Sequence, residues 1–137
     1  LARYERGKSK SDLTRTDSLS WQEKSWVVGV ELDGKSKAYD WNELKQQRVI
    51  HDKIGTTPVI VLLASDDQSF GAFKVADTSR FILRNDSLIN GTVSYDLSGR
   101  KGKDLENRLE KVRAYQEFWH SWRTFHPQTE RYGVTEK

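Results

Sequence analysis

The sequence predicts one α+β domain: a mostly antiparallel, twisted sheet, a short helix after the first hairpin, and an aromatic-rich C-terminal helix packed on the sheet. Three observations predict it. Trp26, Val28, Val30 and Leu32 alternate with Val27, Gly29 and Glu31, the period of a strand with one strongly apolar face. Val59 to Ala64 (VIVLLA) is a continuous apolar run, the best candidate for a central strand. Tyr115, Phe118, Trp119, Trp122 and Phe125 recur at helical spacing, the mark of an amphipathic helix.

Taken in order, residues 1–20 (LARYERGKSKSDLTRTDSLS) are polar and lack apolar periodicity. They read as an arm or linker, and residues 21–137 as a single domain. After the first strand, Asp33-Gly34 tolerates the positive φ angles of a tight hairpin turn. Lys35 to Trp41 returns, with Ala38, Tyr39 and Trp41 as packing residues. Asp40 followed by Glu43 fits a helix cap, because carboxylates can accept from the free amides of a first turn. The helix runs roughly from Trp41 to Arg48. Val49-Ile50 leaves it, and Lys53 to Thr56 reads as a turn before Pro58 opens the VIVLLA strand. Ser65 to Gln68 is a loop.

Short strands follow at Phe70–Val75, Phe81–Arg84, Ser87–Ile89 and Thr92–Tyr95, separated by turn signals at Asn85-Asp86 and Asn90-Gly91. These make a sheet of about six strands. Leu97 to Lys103 is a charged, glycine-bearing loop. Residues 104–113 have a helix-compatible composition without a strong face. Pro127 ends the last helix, since proline disfavours helix at the residue before it.

Composition narrows the function. The chain has 137 residues, 35% of them hydrophobic, with 5 Trp, 5 Tyr and 5 Phe to fill a core. It has no Cys, which excludes disulfides, thiolate metal sites and thiol nucleophiles. It has no Met, so it is expected to be a processed product or a piece of a longer protein, with a membrane segment or export signal able to precede Leu1. No run approaches the ~20 apolar residues of a membrane helix. The net charge is +3. Residues 1–16 hold Arg3, Arg6, Lys8, Lys10 and Arg15 against Glu5 and Asp12, a surplus equal to that of the whole chain, so the body is neutral in sum. A nucleic-acid binder carries its surplus on a folded face, and none is expected here.

Three segments carry a family resemblance: the hairpin VVGVELDGKSKAY, the turn VIHDKIGTTPV, and the ending AYQEFWHSWRTFHPQTE. Together, over roughly Trp26 to Glu130, they resemble the bacterial family DUF3179, a domain family of unknown function. Many members place a Cys-x-x-Cys pair just after the apolar strand. Here that stretch is LLASDDQSF, Leu62 to Phe70, so any thiol-based metal or redox role is closed to this chain. The resemblance implies a cell-envelope setting with a membrane segment or export signal upstream. It implies no substrate.

Several residues could carry chemistry. His51 beside Asp52 could serve as a base or a ligand, although the plainer reading is a turn whose aspartate accepts backbone amides. His120 and His126 are six positions apart, a spacing that points them in different directions on a helix, so a three-histidine metal site has no support. Asp66-Asp67 could meet a hard cation with His51 nearby, but one carboxylate pair is far short of a cage. No serine sits in a nucleophile motif, and SGRKGKD lacks the ending of a phosphate loop. Arg100 and Lys101, with Lys103, could touch an anion. Trp41, Trp119 and Trp122 follow core spacing, whereas Trp21 lies outside any periodic element and is a ligand-binding candidate or a pin for the arm.

No cofactor is implied. The leading expectation is a non-catalytic binding or accessory module of the cell envelope, with an unknown protein or small ligand as partner. The alternative is a hydrolase or metal-assisted enzyme using His51 and nearby carboxylates.

Overall fold

The first alternating run forms β1 (Trp26–Leu32), and the Asp33-Gly34 turn, with φ of 51° and 78°, returns it as β2 (Lys35–Asp40). This is the computed structural model of the chain, and it describes residues 20–101 and 108–135. Residues 1–19, 102–107 and 136–137 lie outside the described residues, and with them the arm and the start of the 104–113 segment. Asp40 caps α1 (Trp41–Gln47) by accepting from the Glu43 amide at 3.2 Å. The helix ends at Arg48, whose positive φ of 67° turns the chain directly into β3 (Val49–Ile54). Next come β4 (Thr57–Leu63), β5 (Phe70–Lys74), β6 (Ile82–Arg84), β7 (Ser87–Asn90), β8 (Val93–Tyr95), β9 (Glu110–Phe118), α2 (Trp119–Phe125) and β10 (Glu130–Arg131).

The fold is α+β and mostly sheet, but it differs from the expectation in four ways. Two sheets form in place of one: seven strands in the order β10-β2-β1-β9-β5-β4-β3, and a separate three-stranded sheet, β6-β7-β8. The larger sheet is mixed, because β10 joins β2 in parallel. Residues 51–54, expected in a turn, complete a strand that begins at Val49, and the turn is confined to Gly55-Thr56. The strand sequence VIHDKI alternates Ile50 and Ile54, buried on one side, with Val49 on the other, and the charged residues between them hide that period. Finally, Tyr115 and Phe118 belong to a strand. Helix begins only at Trp119.

The last difference has a clear cause. Residues 110–118 sit between β5 and β1 and hydrogen-bond to both: Ala72 to Lys74 pair with the first half, and Trp26 to Glu31 with the second. Two neighbouring ladders outweigh a local helical spacing of aromatic residues. β9 is therefore the middle strand. The VIVLLA segment in β4 is one place from the edge strand β3, yet it is buried on both faces, which explains its unbroken apolar run.

Side-chain alternation sorts the sheet into two faces. One face carries a single cluster through the strands, including Val28, Val30, Tyr39, Ile50, Val61, Ala72 and Val112, sealed by Trp41 and Leu44 of α1. The sheet curls until its ends meet across this cluster: the Tyr39 hydroxyl of β2 donates to Asp52 of β3 at 2.7 Å, and Lys37 pairs with the same carboxylate at 2.8 Å. The opposite, outer face is covered in two places. Over β3, β4 and β5, Ile60, Leu62 and Phe73 pack with Phe81 and Leu88 of the small sheet. Over β1 and β2, Val27 and Ala38 pack with Trp119 and Trp122 of α2. Between the covers, the outward residues of β9, Lys111, Arg113 and Tyr115, are exposed.

Candidate functional site

His51 and Asp52 are consecutive strand residues, so their side chains leave β3 on opposite faces. They do not form a dyad. The His51 Nε2 accepts a hydrogen bond from the Phe81 backbone amide at 2.9 Å. Its lone pair is thereby used to tie the small sheet to the large one. Burial, and secondarily the Arg80 charge, hold this imidazole below its ordinary pKa. Asp52, on the curled inner face, accepts from Tyr39 and faces Lys37. Burial pushes the Tyr39 hydroxyl well above the usual phenol range, with the Asp52 charge adding to it. That hydroxyl is a fixed donor. A cleft of about 480 Å3 opens beside His51, bordered by Pro58, Val75, Ser79 and Arg80.

The other predicted residues are scattered. Asp66 folds onto its own loop, accepting from the amides of Gln68 and Ser69 at 2.8 Å and from the Ser69 hydroxyl at 2.7 Å. Those bonds, from Ser69 first, hold its carboxyl below the usual range. Asp67 pairs with Arg48 at 2.7 Å. Arg100 and Lys101 lie exposed after β8, in a turn organised by Asp96, which accepts from the Ser98 hydroxyl at 2.6 Å and from the Arg100 amide at 3.1 Å. Lys103 lies outside the described residues. The three histidines do not gather, and among the described residues no three His, Cys, Asp or Glu side chains lie close enough together to hold a metal ion.

One constellation escaped the sequence reading. His126 follows α2, and its Nε2 lies 2.6 Å from the Glu31 carboxylate of β1. Its Nδ1 lies 3.1 Å from the Trp122 carbonyl, and its ring stacks on the Trp122 indole with centroids 3.7 Å apart. The Trp122 Nε1 donates to the Thr129 hydroxyl at 2.9 Å. The His-Pro-x-Thr ending is thus a clasp that closes α2 onto β1. The pair is 95 positions apart in the chain. Its only trace in the sequence is Glu31, a charge on an otherwise apolar strand.

Trp21 is where the sequence analysis placed a binding candidate. Its φ of 69° lies in the left-handed region, which bulky residues rarely occupy. Its ring meets Trp119 edge-on at 5.0 Å. The turn that carries it caps α2 from outside: the free amides of Trp119 and His120 donate to the Ser25 and Glu23 carbonyls at 2.8 and 3.0 Å. The Arg131 guanidinium lies 5.4 Å from the Trp21 ring and 5.6 Å from Trp119, and Arg123 lies 5.9 Å from Trp119. Together these groups line a cleft of about 620 Å3 that also includes His120 and Thr124. No Asp or Glu lines it. The His51 cleft contains Asp52 and Asp77, and the groove beside His126, about 540 Å3, contains Glu31, Asp33 and Glu110. Arg123 and Arg131 escaped the sequence reading, because nothing local ties them to Trp21.

No helix among the described residues is long and apolar enough to cross a membrane. No curated protein and no solved structure matches the chain. The family model described as a protein of unknown function (DUF3179) matches residues 3–129, which takes in the hairpin, every strand of the curled sheet but β10, and the His-Pro-x-Thr clasp as well as nearly all of the basic arm. The chain belongs to the DUF3179 family.

Proposed function

We propose that this DUF3179 domain is a non-catalytic binding or accessory module of the cell envelope. The observation that carries the reading is the employment of its acid–base groups. A general base needs a free lone pair within reach of its substrate, and the His51 Nε2 is already given to the Phe81 amide. Asp52 is engaged by Tyr39 and Lys37, Asp66 by its own loop, and Asp67 by Arg48. Each candidate has a structural task, and each task is in a different place. The acid-free cleft beside Trp21 is the binding surface this reading favours. The envelope setting rests on the family resemblance.

The test has two parts. Elemental analysis of the purified protein, with turnover of generic ester and phosphoester substrates by the wild-type chain and by His51→Ala, should show no stoichiometric metal and no His51-dependent rate. Either one would replace this reading with the hydrolase or metal-assisted enzyme. Fractionation of cells making the natural full-length protein should place it with the envelope, and recovery in the cytosol would remove that half of the proposal.

A further inference from the structure

We infer that the outer face of α2, together with Trp21, docks on an anionic phospholipid surface. The inference rests on the envelope reading above and gives it a contact face. α2 buries Trp119 and Trp122 against the sheet, so successive residues at helical spacing leave Arg123, His120, Thr124 and Phe125 around its outward arc. Phe125 is 78% exposed, the most exposed large apolar side chain among those described. Arg123 lies beside the cleft, its guanidinium over Trp119. Trp21 is half-buried, holds a rarely used backbone conformation and meets Trp119 edge-on.

This is the composition of an interfacial surface. Tryptophan settles at headgroup depth, an apolar side chain enters the acyl boundary, and cations meet anionic lipid. Charge complementarity favours the same occupant. The cleft has two arginines and no carboxylate. In the sequence, residues 1–16 hold five basic side chains against two acidic ones shortly before Trp21, and basic residues near an anionic leaflet each add to the attraction. An isolated small anion would use the cleft alone and would not account for Phe125.

The test is co-sedimentation of the full chain with phosphatidylcholine vesicles, with and without roughly one-third phosphatidylglycerol. Binding is expected only to the anionic vesicles and should weaken with added salt. Arg123→Glu reverses an exposed charge and should weaken partitioning roughly thirty-fold. Phe125→Ser should weaken it roughly ten-fold. Arg84→Glu, at an exposed arginine of the small sheet, should leave it unchanged. Three results overturn the inference: no binding to anionic vesicles, equal losses in Arg84→Glu and Arg123→Glu, or equal competition by free glycerol phosphate or polyglutamate. If vesicles fail while fractionation still finds the protein in the envelope, the docking face is wrong and the envelope reading survives.

Discussion

The outer face of the seven-stranded sheet is covered twice, and the two covers are built differently. Over β3 to β5 lies a second sheet of short strands, held by Leu88, Phe81 and a histidine that accepts. Over β1 and β2 lies a helix of two turns, held by two tryptophans and a histidine whose ring nitrogens both face acceptors. The partner of each imidazole decides its task. Against an amide, His51 is a neutral acceptor. His126 faces a carboxylate with one ring nitrogen and a carbonyl with the other. The small sheet can rest on backbone pairing, whereas α2, at seven residues, is too short to be stable alone and depends on Trp122 and the clasp.

That dependence predicts where the molecule breaks first. Trp122 is 1% exposed, and Trp122→Ala should cost about 3–5 kcal/mol in a urea melt. Amide exchange should rise over α2 and β10 while β6 to β8 remain protected. A loss below about 1 kcal/mol, or loss of protection in both covers together, would erase the distinction between them.

The next effect comes from the sheet beneath. Gly29 occupies an outward position on β1, and a Cβ there would run into the Trp122 indole. Its small size is what lets α2 lie close. Gly29→Ala should cost about 1–3 kcal/mol by overpacking. Combined with Trp122→Ala it should cost less than the sum, because the obstructing ring is gone. Strict additivity in the double-mutant cycle would mean that the close approach carries no energy.

These positions also show how far the sequence could be read. The first hairpin, the Asp40 cap and the turn at Asn85-Asp86 were legible, because each is specified by neighbours within a few residues; the turn read at Asn90-Gly91 lies one residue on, at Gly91-Thr92, because Asn90 still pairs with Val93. The β3 strand was missed because Asp52 and His51 answer to partners on opposite faces, Tyr39 and Phe81, and such contacts break a simple apolar period. The β9 strand was missed because its ladders come from residues 26–31 and 72–74, which no local window contains. Trp21 could be singled out by its isolation, but its arginine companions could not. The Glu31–His126 contact needed the fold to bring the two residues together.

The clasp itself is a smaller term. Thr129→Val removes the acceptor of the buried Trp122 indole N–H while keeping the side-chain shape. An unpaired buried donor costs about 1–3 kcal/mol. Glu31→Gln should cost less, about 0.2–1 kcal/mol, since the Glu31 carboxylate is 35% exposed and water screens the pair. If Glu31→Gln proves the more damaging in the same melts, the clasp is held by its ion pair, and the packing of Trp122 has been given too much weight.

The smallest expected difference separates the two covers by pH. His51 titrates below its usual 6.5 in the folded protein because burial, and then Arg80, disfavour its charged form. The unfolded chain therefore takes up the proton first. The stability contributed by neutral His51 is complete above the unfolded value and is lost as pH falls from there toward the lowered folded one. Protonation would also set an N–H against the Phe81 amide, so the loss should appear over β6 to β8 and not over α2. His51→Asn keeps a side-chain acceptor without a titrating ring, while His120 and His126 remain in both proteins. Paired melts from about pH 7.5 to about pH 5 should show wild type losing stability faster than the variant on the acid side. A parallel pair of curves would show that the His51 contact is not what holds the small sheet, and the two covers would then differ in composition alone.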